Sequence, residues 1–204
     1  MKKYLKRTAQ AVFLILALPL AVVAGFGSWA GGFRFSGHVC ALAPGILGDY
    51  LRIAFYKMTL KSCSLDSRIE FGSFFAHSSA SIGKGVYIGA YCVLGKASIG
   101  DRTQIASHVQ ILSGKHQHRR DASGSITGAE EGEFEEIQIG ADCWIGASAV
   151  IMASVGVGTT IGAGAVVVRP IEAGVVAVGN PARTLETANV AVPGTLGLAD
   201  QRAH

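Results

Sequence analysis

The sequence predicts an all-β solenoid, a parallel β-helix of triangular section, behind an apolar N-terminal segment. Three observations lead there. Aliphatic residues recur every six positions between Ile82 and Val167, most of them followed by glycine. Glycine is abundant and proline scarce, at 27 and 5 of 204 residues, without the every-third-residue pattern of collagen, so glycine must serve turns. Only 16% of residues are charged and 50% are hydrophobic, against a usual charged fraction of roughly 25%, which excludes a disordered chain and raises a membrane contact.

The N-terminus comes first. The net charge is +4, and Lys2, Lys3, Lys6 and Arg7 account for all of it. Such a cluster suits a membrane flank, whereas nucleic-acid binding needs a basic stripe along the folded domain. No charged side chain occurs from Thr8 to Phe33, and Ala11 to Ala24 is almost wholly apolar, which is long enough for lipid. Pro19 and the glycines Gly25, Gly27, Gly31 and Gly32 argue against a straight spanning helix. A second segment, Cys40 to Lys61, mixes Leu42, Ile46, Leu47, Leu51, Ile53, Phe55 and Met58 with Arg52, Lys57 and Lys61, and its spacing predicts an interfacial helix. A secretory signal cut near Ala30 is the alternative, and it would deliver the remainder outside the cytoplasm. Residues 1–60 are therefore expected to form a membrane-associated helical segment.

The repeat comes next. Ile82-Gly83, Ile88-Gly89 and Leu94-Gly95 keep a six-residue period, which continues after a one-residue slip through Ile99, Ile105 and Ile111. It resumes at Ile139, Ile145 and Ile151 and shifts phase to Val155, Ile161 and Val167. Six residues advance a helix by about 1.7 turns and scatter these side chains around it. A short strand and a tight turn per hexapeptide instead point every aliphatic residue inward. A β-sandwich predicts two-residue alternation, which this region lacks. The four cysteines, Cys40, Cys63, Cys92 and Cys143, form no C-x-x-C pair and are expected as buried reduced thiols.

From about Cys63 to Arg183 these residues resemble the left-handed β-helix hexapeptide-repeat acyltransferases. The run from Ile139-Gly-Ala-Asp-Cys-Trp-Ile-Gly-Ala through Ile161-Gly-Ala-Gly-Ala-Val-Val to Gly179-Asn-Pro-Ala-Arg183 looks like that family's C-terminal signature. The stretch Ala43 to Tyr56 resembles a membrane-associated subgroup linked to bacterial surface polysaccharides. The resemblance implies a β-helix over residues 61–185, with a flexible tail at 186–204. It also implies transfer of an acyl group, usually acetyl, from coenzyme A to a sugar or glycan hydroxyl by a homotrimer with sites between subunits.

Between Leu112 and Ile137 the repeat fails, and the interruption holds Lys115, His116, Gln117, His118, Arg119, Arg120 and Asp121, then five glutamates from Glu130 to Glu136. A regular solenoid has no structural reason for such an excursion, here bounded at 113–136, and loops on rigid scaffolds carry binding chemistry. In the resembled family a loop histidine deprotonates the acceptor, a task that imidazole suits by its pKa. Counting from Val109 selects His116, whereas a His-x-x-Asp ending selects His118 through Asp121; His118 is preferred and both stay open. His77 and His108 are expected as turn or interface side chains. The glutamates read as a solvated face or an acidic clamp.

Coenzyme A would lie along the late coils by the same resemblance, with its amides near Ala147 and Ala165 and its phosphates on Arg169 and Arg183. Trp144, outward by the period, would line the acyl or sugar cleft or else pack against a second subunit. Pro170-Ile171-Glu172 departs from the family's usual acidic-then-Pro order beside Arg169. Gamma-type carbonic anhydrases share the solenoid and bind zinc, but their His-x-x-x-x-His element is absent, so no metal is expected. Because acyl-coenzyme A is cytoplasmic, the expected place is the bacterial inner membrane with the catalytic domain facing the cytoplasm. A serine-type O-acetyltransferase and a non-catalytic membrane scaffold are the alternatives.

Overall fold

The computed structural model describes residues 2–114, 122–126 and 134–185, with side chains from residue 4. Three helices come first: α1 (Lys2–Val23), α2 (Ala30–Ala41) and α3 (Gly45–Thr59), with a 3-10 turn at Gly25–Gly27 between α1 and α2. The solenoid follows. Its first coil is β1 (Ser62–Cys63), β2 (Arg68–Ile69) and β3 (Phe74–Phe75), and its second is β4 (Ser81–Ile82), β5 (Tyr87–Ile88) and β6 (Val93–Leu94). The third is β7 (Ala97–Ile99), β8 (Gln104–Ile105) and β9 (Gln110–Ile111), and the fourth is β10 (Ile137–Ile139), β11 (Trp144–Ile145) and β12 (Val150–Ile151). The fifth keeps only an isolated bridge at Val155 on its first face, then β13 (Thr160–Ile161) and β14 (Val166–Val167). A last partial coil carries β15 (Val176–Val178), on which β16 (Arg183–Thr184) folds back antiparallel.

Apart from that closing strand every pairing is parallel, and the strands stack into three faces. Face one runs β1-β4-β7-β10, face two β2-β5-β8-β11-β13-β15, and face three β3-β6-β9-β12-β14. The coils are held by backbone hydrogen bonds between successive layers, such as Trp144 N–H to Thr159 O at 3.0 Å and Gly146 N–H to Ile161 O at 2.8 Å. The expected inward residues are inward: Ile82, Ile88, Leu94, Ile99, Ile105, Ile111, Ile139, Ile145, Ile151, Val155, Ile161 and Val167 are all buried. Fully burying each such side chain contributes about 1.5–3 kcal/mol. A second buried residue, mostly small, sits two positions earlier in the hexapeptide, and Cys92 and Cys143 occupy it like Ala149 and Ala165. That position accounts for two of the four free, buried thiols.

The glycine after an inward residue is required by close approach. A Cβ on Gly140 would lie 2.5 Å from the backbone nitrogen and Cα of Val157 in the next coil. Two corners follow a fixed rule instead, with one residue in the left-handed region at each: Gly85, Arg102, Asp142, Gly158 and Gly174 between faces one and two from the second coil on, and Gly72, Tyr91, His108, Ser148 and Gly164 between faces two and three. His108 is thus a corner residue, its ring stacked on Tyr91 with centroids 5.3 Å apart.

The second N-terminal segment differs from expectation. It is broken at Leu42–Pro44, and α3 caps the open end of the solenoid with Asp49 and Arg52 buried, while Lys57 stays exposed. Arg52 is fully buried; its guanidinium donates to the carbonyls of Ile69 (2.8 Å), Cys40 (3.1 Å) and Ala43 (2.6 Å) and to the carboxylate of Asp49 (2.6 Å). Asp49 also accepts from Arg68 on β2 at 2.8 Å, and the Tyr56 hydroxyl accepts from the Phe75 amide at 3.0 Å. The physical reason is that the first coil ends in an apolar cross-section that must be covered. Replacing Arg52 by Ala removes one of the two cations on the buried Asp49 carboxylate and the side-chain donor to three carbonyls, and should cost about 3–5 kcal/mol in chemical denaturation of the purified protein. An unchanged midpoint would show that the cap is not held this way.

Candidate functional site

Within every coil the inward residues stay six apart, and all irregular spacing falls at the corner between face three and the next face one. The steps there run from Phe75 to Ile82, Leu94 to Ile99, Ile111 to Ile139, Ile151 to Val155 and Val167 to Ile171. The slip, the interruption and the phase shift of the sequence period are therefore one structural feature. This column carries His77 at the first coil, Lys96 at the second, the excursion at the third, Met152 at the fourth and Arg169 at the fifth.

A pocket of ≈ 250 Å³ opens on the column where the excursion leaves and returns. Its walls include His77, Val93, Leu112, Ser113, Phe134 and Met152, brought from separate coils. The rings of His77 and Phe134 have centroids 4.5 Å apart. Burial, and then the positive charges of Arg34 on α2 and Lys96 on the next corner, push the His77 imidazole below its ordinary value. A neutral ring beside an apolar wall can accept a hydrogen bond from a hydroxyl. Sequence reasoning placed His77 among turn side chains, and it does lie at a corner, but its position beside the loop roots was missed.

His116 and His118, the two candidate bases, lie outside the described residues, as do Lys115, Arg119, Arg120, Asp121 and the tail at 186–204. The cofactor candidates divide into three places. Trp144 is 61% exposed on face two, next to Gln104 and Thr160 of the neighbouring coils. Ala147 is exposed at the corner between faces two and three, and its carbonyl accepts from Gly164 N–H at 2.8 Å. Ala165 is fully buried, its N–H bonded to Gly162 O and its carbonyl to Val150 N–H, so both of its amide groups are spent within the solenoid. Arg169 and Arg183 share a smaller pocket of ≈ 160 Å³ with Val168, Pro181 and Ala182, where two cations face a cleft on the excursion's own column. Among the described residues no group of three His, Cys, Asp or Glu is arranged to hold a metal ion.

The His77 environment makes a titration prediction. Its ring, followed by NMR in the purified protein, should titrate below the ordinary value of about 6.5, and Arg34→Ala or Lys96→Ala should raise it without restoring it fully, since burial is the larger cause. The unfolded chain then binds this proton at higher pH than the folded one, so His77 contributes a loss of stability as pH falls below about 6.5. Titration at the ordinary value in the wild-type protein would contradict this placement.

Residues 79–113 match the family model described as bacterial transferase hexapeptide (six repeats). A comparison with curated proteins gives no match. Among solved structures, a maltose O-acetyltransferase from Clostridium difficile 630 is similar with a TM-score of 0.64 and 23% identity, over 78% of this chain and 88% of that one. The hexapeptide-repeat containing acetyltransferase VCA0836 from Vibrio cholerae has a TM-score of 0.59 and 20% identity, over 81% of this chain and 92% of that one. The polySia specific acetyltransferase NeuO has 26% identity and a TM-score of 0.49, and this chain spans 58% of its length. The matched repeat, the three parallel faces and the likeness of fold to the first two of these structures agree: the solenoid of this chain is built from hexapeptide repeats.

Proposed function

We propose that the protein is an acyl-coenzyme A-dependent O-acyltransferase, with acetyl as the acyl group and a sugar or glycan precursor of a bacterial surface polysaccharide as acceptor. The observation that carries this reading is the single irregular corner. The excursion, the His77 pocket and Arg169 lie on one edge of an otherwise repetitive scaffold, and Arg183 on the closing strand shares the Arg169 cleft. Solved hexapeptide-repeat proteins of the same fold are named as acetyltransferases, one of them of maltose, which supports acyl transfer as the chemistry.

In this reading Arg169 and Arg183 take the phosphates of coenzyme A, and the thioester extends along the column toward the excursion. Ala147, exposed at the corner between faces two and three, and Trp144, exposed on face two, lie off this column and serve the cofactor of a neighbouring subunit. His118, or His116 in its place, removes the acceptor hydroxyl proton as the oxygen attacks the thioester carbonyl. The new C–O bond forms, the C–S bond breaks, and the departing sulfur takes up the proton that the imidazole holds. No covalent enzyme intermediate is required. The working unit is a homotrimer, whose cyclic closure leaves no open interface. The protein sits on the inner membrane with its solenoid in the cytoplasm, where acyl-coenzyme A is made and where an anchored enzyme is concentrated beside a lipid-linked acceptor.

Thiol release from acetyl-coenzyme A, with nucleotide sugars and lipid-linked glycans as acceptors, tests the reading. Removing the base, as His118→Ala or His116→Ala, should lower turnover roughly a hundred- to ten-thousand-fold while cofactor affinity and thermal stability hold. Arg169→Ala and Arg183→Ala should each weaken coenzyme A binding by about 1–3 kcal/mol. Wild-type turnover in both single histidine variants and in their double variant would leave the non-catalytic scaffold as the better account.

A further inference from the structure

Helix α1 is long and apolar enough to cross a membrane, yet both of its ends are tied to the same coil. Near its start Lys6 Nζ pairs with Asp66 at 3.1 Å, and Gln10 Nε2 donates to Leu65 O at 2.7 Å, both in the corner between β1 and β2. Just past its end the chain reverses through Phe26, whose φ is 51°, and Gly27 O accepts from the Ser78 hydroxyl at 2.6 Å, in the corner between β3 and β4. The 22 residues of α1 therefore lie across the capped end of the solenoid, over about 33 Å at 1.5 Å per residue. A bilayer-crossing α1 in this position would carry the first coil, with Asp66, into hydrocarbon, which is costly for an ion and for unpaired backbone.

The helix is divided lengthwise. Gln10, Ala17, Ala21 and Ala24 face the protein, with Phe13, Leu14 and Leu20 partly covered. Val12, Ile15, Leu16, Leu18, Val22 and Val23 are exposed and, at 3.6 residues per turn, fall with Tyr4 and Leu5 within an arc of roughly 160°. From Ala11 onward that arc holds no polar residue, and Phe26 and Trp29 extend it past the helix end. The surrounding charge identifies what covers this face. Residues 1–48 contain no Asp or Glu, while Lys2, Lys3, Lys6, Arg7 and Arg34 are all cationic. A second copy laid on this surface would set cations against cations, whereas anionic lipid headgroups complement them. An indole at the rim is suited to the headgroup level.

We infer that the protein docks on one leaflet of an anionic membrane with α1 lying in the plane of the surface, its Val12–Val23 outward arc in the acyl boundary and both ends of the helix on the solenoid's side. This deepens the membrane localisation proposed above and rests on it.

Cysteines introduced one at a time in the full-length protein, as Tyr4→Cys, Ser28→Cys and Lys84→Cys on the solenoid, would be exposed to an impermeant maleimide from either side of sealed membrane vesicles. Labelling of all three from one side only is expected; labelling of Tyr4→Cys and Ser28→Cys from opposite sides would overturn the in-plane mode while leaving membrane association intact. Ile15→Asp with Leu16→Asp should reduce binding to phosphatidylcholine–phosphatidylglycerol vesicles about tenfold or more without changing the solenoid's circular dichroism. Undiminished vesicle binding by that variant would also overturn the assignment of the arc. Recovery of the wild-type chain as a soluble dimer in the absence of detergent would give the face to a second copy and remove both readings.

Discussion

Ile69, Ile88, Ile105, Ile145 and Ile161 stack from coil to coil in register on face two, and their stacking leaves the backbone no freedom in how each layer sits on the next. A strand slipped by one residue would turn its inward side chain to solvent and bring an outward one into the core. The constraint extends to the corners. Glycines such as Gly140 let neighbouring layers approach, and left-handed residues such as Arg102 and Asp142 repeat at one place per coil, their side chains paired across the layers at 2.5 Å. With two corners so restricted, only the third can vary in length. An insertion large enough to bind a substrate is tolerated there and nowhere else in the repeat.

A solenoid built this way has no closed core of its own, since each end exposes a section of the stack. The far end is closed by β16 folding back on β15. The near end is closed by α3, and the buried Arg52 at that joint ties helix, linker and first coil through Asp49, Cys40, Ala43 and Ile69. The helical layer is thus part of the folded unit, continuous with the solenoid core through Phe33, Phe55, Tyr56 and Phe75. Its outer surface keeps the exposed apolar arc of α1, so the same layer that completes the core also carries the face proposed for the membrane. Substrate delivered at a membrane surface would reach the excursion across the first coils, past Arg34, His77 and Lys96.

The solenoid was readable because its physics is local: six residues, one inward side chain, one tight corner. The inward aliphatic residues named from Ile82 to Val167 followed from that count, whereas Ile69 of the first coil was not among them. The identity of the irregular corner was not readable, because it depends on which strands stack, and a slip at Leu94–Ile99 looks unrelated to a phase shift at Ile151–Val155 until the faces are assembled. His77 escaped for the same reason, lying far in sequence from Ser113 and Phe134 and brought to them by stacking. Ala165 could have been recognised as buried, since it stands two positions before an inward residue, as Ala149 does. The role of α3 was misread because Arg52 within an apolar pattern resembles an interfacial charge; the Asp49-x-x-Arg52 spacing, which sets the pair on one side of a helix, was the available signal. The pair His116 and His118 remains a sequence assignment.

In the proposed function acyl donor and acceptor would lie along one edge, with phosphates at the Arg169–Arg183 end and chemistry where the excursion begins. An experimentally determined structure of the full-length protein with coenzyme A bound tests this most directly. The account predicts the phosphates on Arg169 and Arg183 and the sulfur atom beside the pocket formed by Ser113, Phe134 and His77. Coenzyme A lying along either regular corner, with its sulfur remote from the excursion, would contradict it.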